Sequence, residues 1–300
     1  GGGGGEGGET GTQVAAPGED LPLPERNDES RNIDKQSSGA ATGGSGLVQN
    51  GQAKEGGGDG DGARRMGGGD GARRMAAFKP LLRPISGAAL DVSATPQYRA
   101  LHWLAFEDDF NDIPPPDASP DDPAVRKLVQ RYALAALYHS TDGPTRWYRV
   151  HSFLSPKLDE CLWNSVDGNT GYFSGAGACD ERGMITTLAL WENGLGGALP
   201  PELGELAELR VLSLYGNEVR GEVPESWGKL MNLDTLYLHG NALAADLTAL
   251  CTSSWSSVVS FRSDCHADVE DEVAPLVACP CCDVCCAPKG EGGTCYQMDE

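Results

Sequence analysis

The sequence has 300 residues, of which 41 are glycine, and its 44 acidic residues outnumber its 23 basic residues to give a net charge of -21. This excess of negative charge disfavours nonspecific binding to nucleic acid or to anionic membranes, so neither is expected as a partner. The longest uncharged run beyond residue 90, residues 247–261, is 15 residues long and rich in serine. It is too short and too polar to cross a bilayer, and no transmembrane segment is expected in this chain.

Residues 1–90 are predicted to form a disordered, glycine-rich arm. Twenty-three of the 41 glycines lie in the first 75 residues, which contain no aromatic residue and no cysteine. Such a segment cannot bury enough apolar surface to offset the entropy lost on ordering. Residues 58–66 and 67–75 form a short duplication, and both end in Ala-Arg-Arg-Met. We interpret these arginine pairs as part of a solvated linker, with a protease site or a contact to an acidic partner as the alternatives.

Two helices are predicted in the segment 91–184, which we interpret as a helical N-terminal cap. The first begins at Thr95, because a threonine followed by a proline is typical of a helix N-cap and first turn. It is expected to end at residues 107–109, before a run of three prolines. The second begins at Asp122, also before a proline, and is expected to end at residues 142–144. Apolar residues recur at helical spacing in both: Tyr98, Leu101 and Ala105, then Val125, Leu128, Tyr132 and Ala135.

From residue 185 the sequence repeats with a period of 24 residues. Three copies begin at Ile185, Leu209 and Leu233, and residues 185–256 are assigned to them. Internal repeats outrank other sequence signals because they determine the architecture of the whole segment. The equivalent positions with one residue type in all copies are Leu188, Leu212 and Leu236; Leu190, Leu214 and Leu238; and Asn193, Asn217 and Asn241.

Each copy is predicted to contain one short strand that pairs in parallel with the next. The Leu-x-Leu pairs alternate with period two, which places both leucines on one face of a strand. A strand that recurs every 24 residues in one direction needs a crossover each time, and such crossovers are right-handed. The sequence therefore predicts an α/β fold, a short right-handed solenoid of parallel strands. The three asparagines, Asn193, Asn217 and Asn241, are expected to stack as a ladder whose amides bond to backbone groups.

The segments that return the chain to the next strand are predicted to be alike in the first two copies only. Gly197 suits a tight backbone position there, and Pro200 and Pro224 favour a stiff, extended return. In the third copy Thr248 replaces the proline, so a different return is expected. Phe261 marks a degenerate fourth strand, one residue out of register with the first three.

All ten cysteines lie at or beyond position 161, and eight of them fall between residues 251 and 295. So dense a group predicts a disulfide framework or a thiolate metal site. Cys282 and Cys285 have the spacing of zinc ligands, but the sequence lacks a second pair of zinc ligands. Cys279 and Cys282 have the spacing of a redox motif, but the sequence lacks the strand and helix that surround such a motif. We favour disulfides, which indicate an oxidising compartment, and expect no metal and no cofactor. Residues 257–300 are interpreted as a Cys-rich C-terminal cap with unassigned connectivity.

The first two copies meet the pattern LxxLxLxxNxLxGxIPxxLGxL nearly throughout, and the chain resembles the plant-type leucine-rich repeat proteins. In that family a Cys-x-Trp segment, here Cys161 to Trp163, belongs to a disulfide-closed N-terminal cap. The resemblance therefore implies a disulfide between Cys161 and Cys179.

A narrower resemblance is to the short Cys-capped, receptor-like leucine-rich repeat proteins of diatoms and related algae. It rests on the segments TPQYRALHWLAFED, RYALAALYHSTDGPTRW and CPCCDVCC. Many of those proteins are expected to carry a membrane anchor, but residues 76–90 are interrupted here by lysine, arginine and proline. The resemblance thus implies an extracellular or cell-surface protein, secreted or anchored outside this chain.

The strand positions that alternate with the leucines are predicted to face the concave side and to carry an aromatic strip. Trp191, Tyr215 and His239 occupy equivalent places, and Tyr237 lies beside the last of them. Aromatic side chains dominate binding hot spots, although they also suit exposed strands without any binding role. We predict that this strip contacts a protein or peptide ligand, or a glycan. The candidate ligand-binding residues are Trp191, Tyr215, His239, Tyr237, Ser213 and Glu192.

No catalytic site is predicted, because the five histidines are scattered and the sequence has no nucleophile motif, phosphate loop or kinase signature. Two non-enzymatic functions remain. The first, favoured by the aromatic strip, is an extracellular recognition module, receptor-like or similar to polygalacturonase inhibitors. The alternative is a structural or scaffolding subunit of a cell-surface or larger assembly, which the long arm and the small number of repeats favour.

Overall fold

The computed structural model describes residues 13–14, 68–115, 117–167, 171–255, 258–266, 276–287 and 295–297. The helices among them are α1 (Gly68–Ser86), α2 (Pro96–Phe106), α3 (Pro123–Ser140), α4 (Gly143–Arg146) and α5 (Thr248–Ser253). The strands are β1 (Gln13–Val14), β2 (Asn164–Val166), β3 (Phe173–Cys179), β4 (Ile185–Ala189), β5 (Val211–Ser213), β6 (Arg220–Gly221), β7 (Thr235–Tyr237), β8 (Ala242–Leu243), β9 (Ala245–Asp246), β10 (Ser260–Ser263), β11 (Val277–Ala278), β12 (Val284–Cys286) and β13 (Cys295–Gln297).

The largest sheet has the strand order β1-β13-β12-β10-β7-β5-β4-β3-β2. Its centre, from β4 through β5, β7 and β10 to β12, is parallel. Antiparallel strands flank this centre on both sides, β3 and β2 on one and β13 and β1 on the other. Two small parallel sheets, β6–β8 and β9–β11, lie apart from it. None of the helices in the described ranges is long and apolar enough to cross a membrane.

The three copies of the repeat are in phase in the central sheet. Leu188 pairs with Leu212, and Leu212 pairs with Leu236, so equivalent residues face each other across neighbouring strands. All three leucines are buried in one continuous apolar core. Phe261 pairs with Leu236, which confirms the predicted fourth strand.

The two predicted helices of the N-terminal part begin and end where the sequence indicates. Thr95 Oγ1 accepts a hydrogen bond from Tyr98 N at 3.1 Å and caps α2, and Asp122 Oδ1 accepts one from Ala124 N at 2.9 Å and caps α3. Both helices carry their proline in the first turn, where no backbone donor is lost. Glu107 and Thr141 follow the last helical residues as C-caps.

The prediction of a disordered arm as far as residue 90 is wrong for residues 68–90. These residues form α1 and a following 3-10 turn, Gly87–Asp91. Phe78 and Leu82, four residues apart, are fully buried against the core, so this segment does bury apolar surface. Pro80 and Pro84 lie on the exposed side of the helix, where water can bond to the carbonyls that lose a donor. Gln13 and Val14 form β1 on β13, and the remainder of residues 1–67, with the first Arg-Arg pair, lies outside the described residues.

The linker interpretation is also wrong for the second arginine pair. Arg74 is buried and donates from Nη2 to Leu104 O at 2.8 Å and to Asp108 O at 2.7 Å. These carbonyls lie at the C-terminal end of α2, where the helix leaves its last acceptors without backbone donors. The arginine therefore caps that helix end, and Arg73 beside it remains exposed.

The end of helix α3 gives the first repeat hydrogen bonds similar to those that join the first two repeats. Gly196 N donates to Thr141 O at 3.1 Å and Ala198 N to Ser140 O at 3.3 Å. Between the first two repeats the same role falls to the carbonyls of residues 195 and 197. Gly197 has a φ of 61°, and a Cβ there would lie 2.1 Å from Ser140 O, so only glycine fits this junction.

A buried charge cluster joins the helices to the loops around them. Arg131 is fully buried, with Nη2 2.6 Å from Asp108 Oδ1 and Nη1 3.0 Å from Glu160 Oε2. Its guanidinium also lies over the ring of Trp163, 4.7 Å from the centroid. A second buried carboxylate, Glu202, accepts a hydrogen bond from Ser86 Oγ at 2.5 Å and ties α1 to the return of the first repeat.

The three predicted asparagines form the expected ladder. Asn217 Oδ1 accepts from Asn193 N at 2.9 Å and from Leu195 N at 3.1 Å, and its Nδ2 donates to Leu190 O and Leu214 O at 2.9 and 2.8 Å. Asn241 Oδ1 accepts from Val219 N at 3.1 Å, one repeat further on. The fourth rung is an acid that sequence reasoning missed, since Asp264 Oδ2 accepts from Asn241 N at 3.1 Å. Its position, 23 residues after Asn241, hides it from a search at the 24-residue period.

The outer returns differ between copies as predicted. The first two pass from an extended Pro200 or Pro224 into a 3-10 turn, Pro201–Glu205 and Glu225–Lys229. In the third copy, where Thr248 replaces the proline, the chain forms helix α5 instead.

Five disulfides pair all ten cysteines: Cys161–Cys179, Cys251–Cys281, Cys265–Cys285, Cys279–Cys282 and Cys286–Cys295. The disulfide interpretation of the Cys-rich end is therefore confirmed. The pair that the family resemblance implied, Cys161 and Cys179, is also confirmed.

Candidate functional site

The predicted aromatic strip exists as a continuous stack of rings. The ring centroids of Trp191 and Tyr215 are 5.9 Å apart and those of Tyr215 and His239 are 5.1 Å apart, and both pairs are within 6° of parallel. This regular spacing follows from the 24-residue period, which places the three side chains at equivalent points just beyond neighbouring parallel strands. Tyr237 meets His239 edge-on at 6.0 Å. The structure therefore brings the four aromatic candidates together.

Other side chains contact both ends of the aromatic strip. At one end the Arg149 guanidinium lies over the ring of Trp191, 4.9 Å from its centroid, and Tyr172 meets Trp191 edge-on at 6.2 Å. At the other end a ring nitrogen of His239 lies within 4.8 Å of both sulfurs of the Cys286–Cys295 disulfide. Since Trp191 contacts both Arg149 and Tyr215, and Tyr215 stacks with both Trp191 and His239, these two rings offer their edges rather than their faces.

The candidate residues are less accessible than an exposed concave face would make them. Tyr215, Tyr237 and His239 keep 9%, 6% and 6% of their surface exposed, and Ser213 is fully buried. Trp191 is partly exposed and Glu192 is exposed. Contact with a ligand through this face would thus begin at Trp191 and Glu192, with the other side chains behind them.

Several buried polar atoms of this face have no hydrogen-bond partner in the part of the chain that the structure describes. They include both ring nitrogens of His239, Nε1 of Trp191 and Oγ of Ser213. Burial, and next to it the charge of Arg262, lowers the pKa of His239 to about 4, so its ring is neutral at neutral pH and carries one donor and one acceptor. Burial, reinforced by Glu192, raises the pKa of Tyr215 to about 12, which keeps its hydroxyl protonated.

Two arginines beside the strip were missed by sequence reasoning. Arg262 lies over the ring of Tyr237, 4.9 Å from the centroid, and Arg149 covers Trp191. Neither arginine forms an ion pair with any described residue. The alternation within the fourth strand could have revealed Arg262, which pairs with Tyr237 across the sheet. No signal indicates Arg149, which precedes Trp191 by 42 residues and lies in a loop.

A family model described as Leucine Rich Repeat matches residues 208–230. This segment is a leucine-rich repeat. It comprises the strand and outer return of the second copy, whose register the first and third copies share. The chain therefore contains a leucine-rich repeat, which confirms the repeat interpretation for the second copy. No curated protein matches the sequence at a significant level.

Solved structures with similar coordinates cover parts of the chain. One, "Crystal structure of PEPR1-AtPEP1", is 22% identical over 45% of this chain and 17% of its own, with a TM-score of 0.35. The plant peptide hormone receptor RGFR1 in complex with RGF2 is 32% identical over 26% of this chain and 12% of its own, with a TM-score of 0.24. The leucine-rich repeat ectodomain of the receptor kinase SOBIR1 from Arabidopsis thaliana is 19% identical over 45% of this chain and 68% of its own, with a TM-score of 0.28. This chain thus spans less than a fifth of the length of the first two.

Proposed function

We propose that this protein is a non-enzymatic recognition module that binds a peptide segment of another protein at the concave face of a short right-handed solenoid. The observation that carries the proposal is the continuous stack of Trp191, Tyr215 and His239, with Trp191 and Glu192 accessible beside it. Aromatic residues in a desolvated patch are the usual anchors of protein interfaces. A structural or scaffolding role remains the alternative.

A peptide suits this surface better than a glycan. Sugar rings bind aromatic residues by stacking on ring faces, and here Tyr215 has a ring on each side while Trp191 lies between Tyr215 and Arg149. Peptide groups, in contrast, supply both donors and acceptors, and the strip holds buried polar atoms of both kinds without partners in the described residues.

The charges beside the strip favour a ligand with carboxylates. Arg149 and Arg262 flank the aromatic rings without an acidic partner among the described residues, although the chain carries a net charge of -21. Repulsion from the acidic surface would otherwise disfavour an acidic ligand, so these arginines define the place where one could bind. Guanidinium groups also bind carboxylates with two parallel hydrogen bonds.

The proposed location is the cell surface or the extracellular space, with residues 91–184 and 257–300 as the caps of the repeats. The five disulfides support an oxidising compartment. The similarity to short algal proteins of this type stays a prediction.

An array of synthetic peptides of graded acidic content tests the proposal. Peptides retained by the full chain should lose at least about tenfold in affinity with Trp191→Ala and with Arg262→Gln. Met231→Ala and Arg220→Gln are matched controls, because both residues are exposed and Arg220 belongs to the separate β6–β8 sheet. Circular dichroism should be the same for all four variants. Equal loss in the controls, or full binding by Trp191→Ala, would place the ligand elsewhere.

A further inference from the structure

Three of the C-terminal disulfides meet at a single sulfur. The sulfurs of Cys251, Cys279 and Cys281 lie within 4.8 Å of one another, and so do those of Cys265, Cys279 and Cys282. Cys279 therefore lies next to the Cys251–Cys281 bond and to the sulfur of Cys265, besides its own bond to Cys282. Its sulfur is thus within 4.8 Å of a sulfur of each neighbouring disulfide.

The Cys279–Cys282 bond is the one in this group that the fold needs least. Its cysteines are three residues apart, whereas those of Cys251–Cys281 and Cys265–Cys285 are 30 and 20 residues apart. A cross-link stabilises chiefly by restricting the unfolded chain, and this restriction grows with the length of the loop it closes. Opening the short bond leaves both long ones in place, and Cys279 is partly exposed while Cys282 is buried.

We propose that Cys279 is a thiol–disulfide exchange site that reacts with dithiol reductants. A thiolate of the dithiol attacks the Cys279 sulfur, the Cys279–Cys282 bond breaks, and Cys282 leaves as the thiolate and takes up a proton. In the mixed disulfide the dithiol's first sulfur is bonded to Cys279. The second thiolate of the dithiol then attacks this first sulfur, and the dithiol becomes a cyclic disulfide. Cys279 is released as a thiolate, so the protein gains two electrons and the dithiol loses two.

The Cys279 thiolate can pass this reduction to its neighbour without any further reagent. It attacks the Cys251 sulfur, a Cys251–Cys279 bond forms, the Cys251–Cys281 bond breaks, and Cys281 leaves as the thiolate. Attack on Cys265 in the Cys265–Cys285 bond is the parallel route, with Cys285 as the leaving group. Because Cys251 lies on α5 in the third repeat, exchange changes how the C-terminal cap is attached to the repeats.

A variant that leaves Cys279 without its partner isolates the internal step. In Cys282→Ser, blocking of free thiols with N-ethylmaleimide and peptide mass spectrometry should show label lost from Cys279 and gained at Cys281 or Cys285. The transfer should become about tenfold faster between pH 7 and pH 8, because the thiolate is the attacking species and the usual thiol pKa lies above this range. Label confined to Cys279 at both pH values would overturn the proposal.

The control is Cys179→Ser, which leaves Cys161 as a partly exposed thiol at the other end of the molecule. No third cysteine sulfur of the described residues is grouped with that pair, so its label should stay on Cys161. The unaltered chain supplies a second measurement that does not depend on how either variant folds. After partial reduction with limiting dithiothreitol, it should contain a Cys251–Cys279 or Cys265–Cys279 bond. A partially reduced sample that contained no disulfide other than the five native pairings would contradict the proposal.

Discussion

Arg149 and Asn193 bond to each other through both ends of the asparagine amide. Arg149 N donates to Asn193 Oδ1 at 2.7 Å, and Asn193 Nδ2 donates to Arg149 O at 2.9 Å. The same arginine places its guanidinium over Trp191. The loop that caps the first repeat is therefore fixed by the first rung of the asparagine ladder and also forms one end of the aromatic strip.

The asparagine ladder should be the most sensitive polar element of the repeats. Asn217→Ala removes two acceptor and two donor interactions with buried backbone groups of two neighbouring repeats. Since these groups have no access to water, we expect the free energy of unfolding to fall by about 3 kcal/mol or more. Urea denaturation measures this change. The matched control, Asn232→Ala, removes one exposed bond to Ala207 O and should cost less than about 1 kcal/mol; equal costs would show that the ladder does not stabilise the repeats.

Acid should destabilise the protein partly through His239. Its pKa is about 4 in the folded chain, because of burial and the nearby Arg262, against an ordinary value of 6.5. Between these two values the unfolded chain binds a proton that the folded chain does not. The stability contributed by the neutral ring is thus fully present above pH 6.5 and is lost as the pH falls towards 4.

Urea denaturation at pH 7 and pH 4.5 of the unaltered chain and of His239→Phe checks this. The phenyl ring keeps the stack but does not titrate, so the variant should lose less stability on acidification, by on the order of 2–3 kcal/mol. Some pH dependence should remain, since burial also lowers the pKa of His139 and of His151 to about 4. His102→Phe, at an exposed position, should behave as the unaltered chain does. An equal acid loss in His239→Phe would argue against a buried neutral ring.

The buried charge cluster in the N-terminal part should tolerate no single deletion. Arg131→Met leaves Asp108 buried without its cation and Glu160 with Lys127 alone, and removal of one partner from a buried ion pair costs about 3–5 kcal/mol. Arg126→Met is the control, because its pair with Glu208 is partly exposed and contributes below about 1 kcal/mol. Thermal and urea denaturation compare the two. A mild effect of Arg131→Met would mean that the carboxylates become protonated or reach water.

The periodic features of this sequence were predictable and the single contacts between distant segments were not. Phase, strand direction, the asparagine ladder and the ring stack all follow from the 24-residue period, since equivalent residues must meet in neighbouring strands. Arg149 lies outside the repeats, and Arg262 and Asp264 lie in and just after the fourth strand, out of step with the 24-residue period, so a search at that period does not find them at the aromatic strip or the ladder. The glycine-rich composition of the first 75 residues similarly hid α1. Its few apolar side chains stabilise the helix only because they are buried against the core, and the sequence alone does not show that core surface.

Helix α1 should be part of the folded unit, which truncation can decide. A chain that begins at residue 68 keeps α1, whereas one that begins at residue 91 loses buried Phe78 and Leu82 and leaves Glu202 without the hydroxyl of Ser86. Two buried apolar side chains contribute about 2 kcal/mol each, and loss of a hydrogen bond to a buried carboxylate adds about 1–3 kcal/mol. Part of this gain is offset by the entropy of ordering the helix, so the shorter chain should be less stable by at least about 2 kcal/mol.

Urea denaturation of both chains measures the difference, with Arg73→Ala in the longer chain as a control at an exposed position of the same helix. Equal stability of the two chains would mean that the disordered arm extends to about residue 90. A loss of stability in the shorter chain alone would mean that α1 belongs to the folded unit.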